Sequence, residues 1–379
     1  MTSRLFHIIV GLSLALTVGL PLWRSGFDVG TTASYLVQVA IPIAIFAIVT
    51  IGLNVQLGYA GIDNFGIAGF FMIGAYVAAI MVVPAADGVY ARYVGGFGPA
   101  LDIFPALATA QWLPHLIGVI AAIAVCVCLA LLLTLLTPRL RHDYLAIATI
   151  GLAELLRSAT IVEDGLVNGD RGLIGITQPF AGLVEPGTYP VFFLLLICLV
   201  LAGIYVATEV AVRSPWGRAL RALREDELAV TAIGKNPLLL KMQSFVLGAA
   251  IMGIGSALYA YYRQGLTPSD FEPLQGTFLF WVMLIVGGTG NNRGAILGAV
   301  VIWCLWVSTL QLAAFDLPDA ITSRMPYLRY VALGVFFIAM LNLRPQGLLP
   351  ANMRVSSTVE RLARRNPLPD QARHDGAQP

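Results

Sequence analysis

Charge is what this chain has least of. Of its 379 residues only 12% are Asp, Glu, Lys or Arg, and just two, Lys235 and Lys241, are lysines. Soluble domains carry about 25% charged residues. With 58% apolar residues and a mean hydropathy of +0.80, one or two water-soluble domains have no means of hiding the apolar surface. A soluble enzyme, a nucleic-acid binder and a secreted disulfide scaffold are thereby excluded. The net charge of +2 is too small to point to a polyanionic partner. Cysteine is scarce as well. Cys126, Cys128, Cys198 and Cys304 all lie inside apolar runs and read as small hydrophobes, not as a disulfide framework. Cys126 and Cys128 project roughly 200° apart on a helix, a poor geometry for a shared metal, and no metal site is expected. A phosphate-cradling G-x-x-x-x-G-K-[ST] loop is missing, and neither lysine is followed by Ser or Thr. No catalytic residue and no cofactor is therefore assigned; any ATP and magnesium would belong to a partner.

What the chain does have is apolar runs. Ten are found, at 5–23, 35–57, 62–83, 114–137, 143–162, 189–212, 238–262, 276–287, 294–312 and 327–343. A helix crosses the hydrocarbon core with about 20 apolar residues. The expected fold is an all-α polytopic membrane protein with about ten transmembrane helices. The eighth run is short, and the second and third are separated by only 58–61, so either is a candidate half of a broken helix. The first run has a weakly basic start and no obvious cleavage site, and is read as a retained span.

Loop charge orients the chain. Arg4, Arg139, Arg141, Arg293, the basic residues of 213–241 and those of 344–379 fall on one side; only Arg24, Arg92, Arg171, Arg263 and Arg324 fall on the other. The positive-inside rule places the first group, and both termini, in the cytoplasm. Residues 1–350 are read as the transmembrane domain and 351–379 as a disordered, basic cytoplasmic tail in reach of anionic lipid.

Three groups of residues carry functional candidates. Glu154 and Arg157, three apart in the fifth run, share a helix face; they form either a self-neutralised structural pair or part of a pathway. Asn54, Gly58, Tyr59, Gly61, Asp63 and Asn64 form either a polar turn at a membrane edge or a broken helix lining a pathway. The cytoplasmic segment 214–236 predicts a short amphipathic helix ended by Gly234, with Arg218, Arg221 and Arg224 on one flank, followed by Glu225, Asp226 and Glu227. Such a helix lies on lipid headgroups or docks a cytoplasmic partner.

Asn54-Val-Gln-Leu-Gly58-Tyr-Ala-Gly61 with Gly66 and Gly74, Asp143-Tyr-Leu-Ala with Glu154-Leu-Leu-Arg157, Asn168-Gly-Asp-Arg-Gly172, the 217–229 segment, Val286-Gly-Gly-Thr-Gly290 and Arg344-Pro-Gln-Gly-Leu-Leu349 occur in this order. Together they resemble the branched-chain amino-acid ABC transporter permease family, in its LivM branch. The family's Asn-Leu-Gly-His is here Asn64-Phe-Gly66-Ile67, beside an unusual Asp63. The resemblance implies the LivM/LivH-type importer fold in a bacterial inner membrane. It implies a LivH-like second permease, two cytoplasmic ATP-binding subunits and a periplasmic solute-binding protein, with 214–236 transmitting ATP-driven motion. Branched-chain or other neutral amino acids are the implied cargo, and urea or short amides the alternative within the family. A secondary transporter would need several deep carboxylates, and Glu154 alone is deep.

Overall fold

The computed structural model describes residues 11, 15, 17–19, 21, 22, 28–89, 91–94, 112–136, 142–312 and 324–351. The first apolar run and the tail from 352 lie wholly or largely outside these residues; so does most of the loop between the third and fourth runs.

Eleven helices of six residues or more organise the described residues: α1 Val29–Leu53, α2 Ile67–Val82, α3 Leu113–Leu136, α4 His142–Val162, α5 Tyr189–Arg213, α6 Pro215–Glu225, α7 Glu227–Ala232, α8 Pro237–Arg263, α9 Leu279–Gly287, α10 Asn292–Leu312 and α11 Met325–Leu343. Nine apolar helical segments coincide with nine of the ten runs. Six of them are long and apolar enough to cross a membrane, and three, within 67–82, 276–287 and 327–343, are shorter. The chain is a polytopic, mostly helical membrane protein.

Burial sorts the helices. α8 packs against α1, α2 and α3, while α10 packs against α1 and α9. α1 is sunk deepest: Ile45, Ala47, Ile48, Val49, Ile51 and Leu53 are all at 0% exposure. α4 and α5 stand at the rim and present Ile147, Leu155, Leu195 and Leu199 outward. Small residues mark the crossings at the core, where helices approach most closely. A Cβ on Gly52 would lie 2.8 Å from the Gly248 carbonyl oxygen, so α1 and α8 cross in near backbone contact. Gly298 performs the same role between α10 and α9, where a Cβ would collide with the Met283 carbonyl.

The two ends of the bundle are built differently. At one end, β1 (Ala86–Asp87) pairs with β2 (Arg92–Tyr93), and β3 (Leu173–Ile174) pairs with β4 (Gly265–Leu266). Tyr93 Oη donates to the Ile174 carbonyl (3.2 Å) and the Val94 N–H to that of Gly165 (2.9 Å). The Asn168–Gly172 motif closes this layer: Asn168 adopts φ 63° and its Nδ2 donates to the Gly172 carbonyl at 2.9 Å. Asp28 caps α1 here by accepting from the Gly30 and Thr31 N–H groups, which holds its carboxyl below the ordinary range. The opposite end carries α6 and α7.

Candidate functional site

α1 does not end cleanly. It widens into a π turn over Asn54–Tyr59, after which residues 61–66 are non-helical before α2 begins. That accounts for the shortness of α2, since non-helical backbone takes the place of its first turns. Such backbone is tolerated at membrane depth only where protein satisfies its polar groups, and here protein does. Asn64 Nδ2 donates to Gln56 Oε1 (2.8 Å), Gln56 Nε2 to the Phe245 carbonyl (2.8 Å) and the Gly66 N–H to Asn64 Oδ1 (2.8 Å). Thr149 Oγ1 on α4 accepts from the Phe65 N–H (3.1 Å). Thr277 Oγ1 donates to the Phe65 carbonyl (3.1 Å), and Trp281 Nε1 to that of Asn64 (2.9 Å). Asn54, Gln56 and Asn64 are all fully buried.

A second polar chain leaves the π turn in the other direction. Asn54 Nδ2 donates to Asn292 Oδ1 at 2.9 Å, and Asn54 Oδ1 accepts from the Gly290 N–H at 2.8 Å. Asn292 Nδ2 in turn reaches Thr208 Oγ1 (3.4 Å) and Glu209 Oε2 (3.3 Å) on α5. Gly58 is obligatory in this packing, because a Cβ there would meet Asn54 Oδ1 and the Gly290 nitrogen.

The segment 214–236 is two helices, not the single helix expected. Ser214 caps α6 through the Trp216 N–H (3.2 Å). The chain then breaks at Asp226, whose extended backbone (φ −157°) lets its carboxylate cap α7 through the Leu228 N–H at 2.8 Å. An Asx cap competes with continued helix, and three successive acidic residues at the carboxyl end of α6 disfavour its extension. Gly234 (φ +75°) terminates α7 as expected. The α6 stripe of Ala219, Leu220 and Leu223 is buried, whereas Leu228 and Ile233 on the α7 side are 79% and 66% exposed.

The arginines expected to act as one flank have three different fates. Arg218 is exposed. Arg221 Nη1 reaches the Val212 carbonyl at 3.4 Å, at the end of α5. Arg224 turns inward: its Nη1 donates to the Gly58 carbonyl at 2.7 Å, and its Nη2 pairs with Glu225 at 2.9 Å. Gly61 (φ +69°) makes room, since a Cβ there would lie 2.7 Å from Arg224 Cγ. Gly290 borders the same guanidinium. The 344–349 motif arrives beside it, with the Leu348 and Leu349 N–H groups donating to Val286 (2.8 Å) and Gly287 (2.9 Å) carbonyls. The segments around Gly58, Arg224 and Gly290 therefore meet around one guanidinium. Glu227 instead pairs with Lys241 at 2.6 Å, Tyr59 is buried beside the junction, and Asp63 lies half-buried on the non-helical segment.

Glu154 and Arg157 do not join this junction. They form a two-pronged pair on α4, Nε to Oε2 at 3.0 Å and Nη2 to Oε1 at 2.6 Å. Sequence reasoning passed over Gln56, Thr149, Thr277, Trp281 and Asn292. Their signal was available: each is a polar or hydrogen-bonding side chain within or at the edge of an apolar run.

Comparison with known proteins places this architecture among transport permeases. The family described as "Branched-chain amino acid transport system / permease component" matches residues 35–341. The high-affinity branched-chain amino acid transport system permease protein LivM of Escherichia coli (strain K12) is 30% identical over 338 residues, covering 83% of this chain and 70% of that protein. BraD of Pseudomonas aeruginosa, a permease protein of the same described system, is 24% identical over 319 residues, 80% of this chain and 91% of its own. LivH of Escherichia coli (strain K12) is 23% identical over 270 residues, 68% of this chain and 79% of that protein.

Proposed function

The chain belongs to the branched-chain amino acid transport permease family, and from that premise we propose that it is one of two permease subunits of an ATP-driven importer for branched-chain or other neutral amino acids. Its place is a bacterial inner membrane, beside a LivH-like permease, where lipid surrounds the outward-facing apolar rim. Two ATP-binding subunits hold the nucleotide and magnesium, and a periplasmic solute-binding protein delivers the cargo.

The observation that carries this reading is the Arg224–Gly58 hydrogen bond. It joins the only described cytoplasmic helices outside the bundle core to the π turn of the most buried helix. An ATPase docked on the exposed Leu228 and Ile233 surface of α7 moves α6 and α7 as a unit. Arg224 passes that displacement to Gly58, and the Gln56–Asn64 bond carries it on to Phe65 and Trp281. Arg218, Glu225, Asp226 and Glu227 form the polar border of the docking surface, and Arg221 holds α6 to the end of α5.

The test is ATP-dependent uptake of labelled leucine by proteoliposomes holding the two permeases and two ATPases with the binding protein added. Uptake competed by isoleucine and valine supports the reading. Uptake of labelled urea but not leucine, or leucine uptake that needs no ATP, overturns it.

A further inference from the structure

The buried stripe of α11 is headed by a cation. Leu333, Phe336 and Met340 are buried, and Arg329 stands on the same face four residues before Leu333. Val331 and Val335, by contrast, face outward. Arg329 lays its guanidinium 4.3 Å over the ring of Trp306 on α10, which is itself buried. Trp306 stacks on Trp303 and is met edge-on by Tyr330. This cluster has donors and lacks an acceptor. Arg329 Nε and Trp303 Nε1 are both buried without a hydrogen-bond partner, and among the described residues no carboxylate acts on Arg329. Arg157, Arg213, Arg224 and Arg263 each have a carboxylate partner, so Arg329 differs from them. An arginine stays protonated in a protein, and at membrane depth it needs an anion or water. The cavity of about 330 Å³ between α2, α4, α9 and α11, walled by aromatic side chains such as Trp281 and Phe337, makes no such demand, because its Glu154–Arg157 pair is closed on itself.

The cluster lies at the strand-paired end of the bundle. Gln311, at the far end of α10, donates to Tyr35 Oη near the start of α1 at 3.0 Å, while the 344–349 motif that follows α11 reaches the opposite end. Arg329 is four residues into α11, about 6 Å along the axis. Helical side chains lean toward the helix N-terminus, so the guanidinium is carried back toward the first turn, where hydrocarbon gives way to headgroups. We propose that Arg329 holds the phosphodiester of an anionic phospholipid in the leaflet at this end. Trp306 covers one face of the guanidinium, and its edge donates to the non-bridging phosphate oxygens. The acyl chains run down the exposed Val331 and Val335 side of α11. A phosphatidylglycerol headgroup fits better than phosphatidylethanolamine, because no described carboxylate stands beside Arg329 to receive an ammonium. The bound lipid neutralises the cation and braces α11 against α10. The site needs only that the chain spans a membrane; it depends on neither the cargo nor the ATPases.

The experiment is native mass spectrometry of the assembled, delipidated complex, titrated with phosphatidylglycerol, phosphatidylethanolamine or inorganic phosphate, with the thermal midpoint followed in parallel. Phosphatidylglycerol is expected to form a tight adduct and raise the midpoint, phosphatidylethanolamine to do so less well, and inorganic phosphate neither to bind nor to compete. Arg329→Gln should weaken the tight phosphatidylglycerol adduct about tenfold, the loss of one charge-assisted hydrogen bond, and remove the rise in midpoint. Trp306→Leu keeps the charge and removes the stacked face, and should weaken the adduct less; it carries the same comparison if Arg329→Gln does not assemble. Phosphatidylglycerol binding that is unchanged in both variants overturns the site. Equal binding of phosphatidylethanolamine overturns the headgroup preference, and competition by inorganic phosphate overturns the lipid in favour of a free anion. The chain's own candidates for the missing charge, Asp316 and Asp319, lie outside the described residues. Neutralising both as Asn should leave the phosphatidylglycerol effect intact; if it instead destabilises the complex as Arg329→Gln does, and phosphatidylglycerol has no effect on the unaltered complex, the countercharge is the chain's own and the lipid site falls.

Discussion

Replacing Arg224 with alanine should uncouple ATP hydrolysis from transport. Arg224 gives a charge-assisted hydrogen bond to the Gly58 carbonyl at 2.7 Å. Bonds of this kind contribute about 1.5–3 kcal/mol. The side chain is 30% exposed, so the lower end applies. About 1.4 kcal/mol corresponds to a tenfold change in an equilibrium. The expected result is therefore a fall of about tenfold in leucine moved per ATP hydrolysed, with hydrolysis itself retained. Arg224→Lys should fall between, because an ammonium reaches less far and donates as a point charge. A double-mutant cycle with Gly61→Ala sharpens the test. Gly61→Ala alone meets left-handed backbone strain and a collision with Arg224 Cγ. In the Arg224→Ala background the collision is gone and only the strain remains, so the two changes should be non-additive. An unchanged leucine-to-ATP ratio in Arg224→Ala, measured in proteoliposomes at matched subunit content, would refute the reasoning.

Four other outcomes are expected. Asn54→Leu strands the Gly290 N–H and the Asn292 amide, and should destabilise the purified complex by about 2–4 kcal/mol in a denaturation series. Gly298→Val forces α9 and α10 apart and should abolish assembly, read by the loss of co-purifying subunits. Leu228→Arg places a charge in the exposed docking surface and should release the ATPase subunits while leaving the permease pair intact on size-exclusion chromatography. Because the Gly30 N–H lowers the Asp28 pKa, its cap is fully present above the unfolded carboxyl value of about 3.9 and lost as pH falls through the lower folded value; hydrogen exchange in the first turn of α1 should accelerate only in that acid window.

Much of the fold was legible because membrane spans are written in composition. Nine apolar runs became helical segments, though the second begins earlier than expected, at Val29, and the third later, at Ile67. The break around Gly58–Gly61 was legible too, since two long runs met across glycines. Its extent was not: the interruption reaches from Asn54 to Gly66, because a π turn costs no special residue and leaves no local signature. The split of the cytoplasmic segment was hidden for a similar reason. Asp226 reads as a helix-surface acid until its cap on Leu228 is seen. The grouping of candidates was the least legible feature. Arg224 belongs with Gly58 and Gly61, while Glu154 and Arg157 belong with an aromatic cavity, and these partnerships are set by helix crossings that no local periodicity encodes.

The unequal construction of the two ends has a mechanical consequence. The end holding the two strand pairs is laced by backbone bonds between distant loops, which yield only together. At the other end α6 and α7 join the π turn through one arginine hydrogen bond, while the π turn itself and the 344–349 motif are bonded to the 286–292 segment. A push on α6 and α7 is therefore taken up first at that single arginine bond, and the strand-paired end moves least. Small displacements of α6 and α7 would therefore be largest at their own end and fade toward the strand-paired end. Spin-label distances across the two ends, taken with and without nucleotide, would show a gradient along the helices if the strand-paired end holds and uniform shifts if it slips.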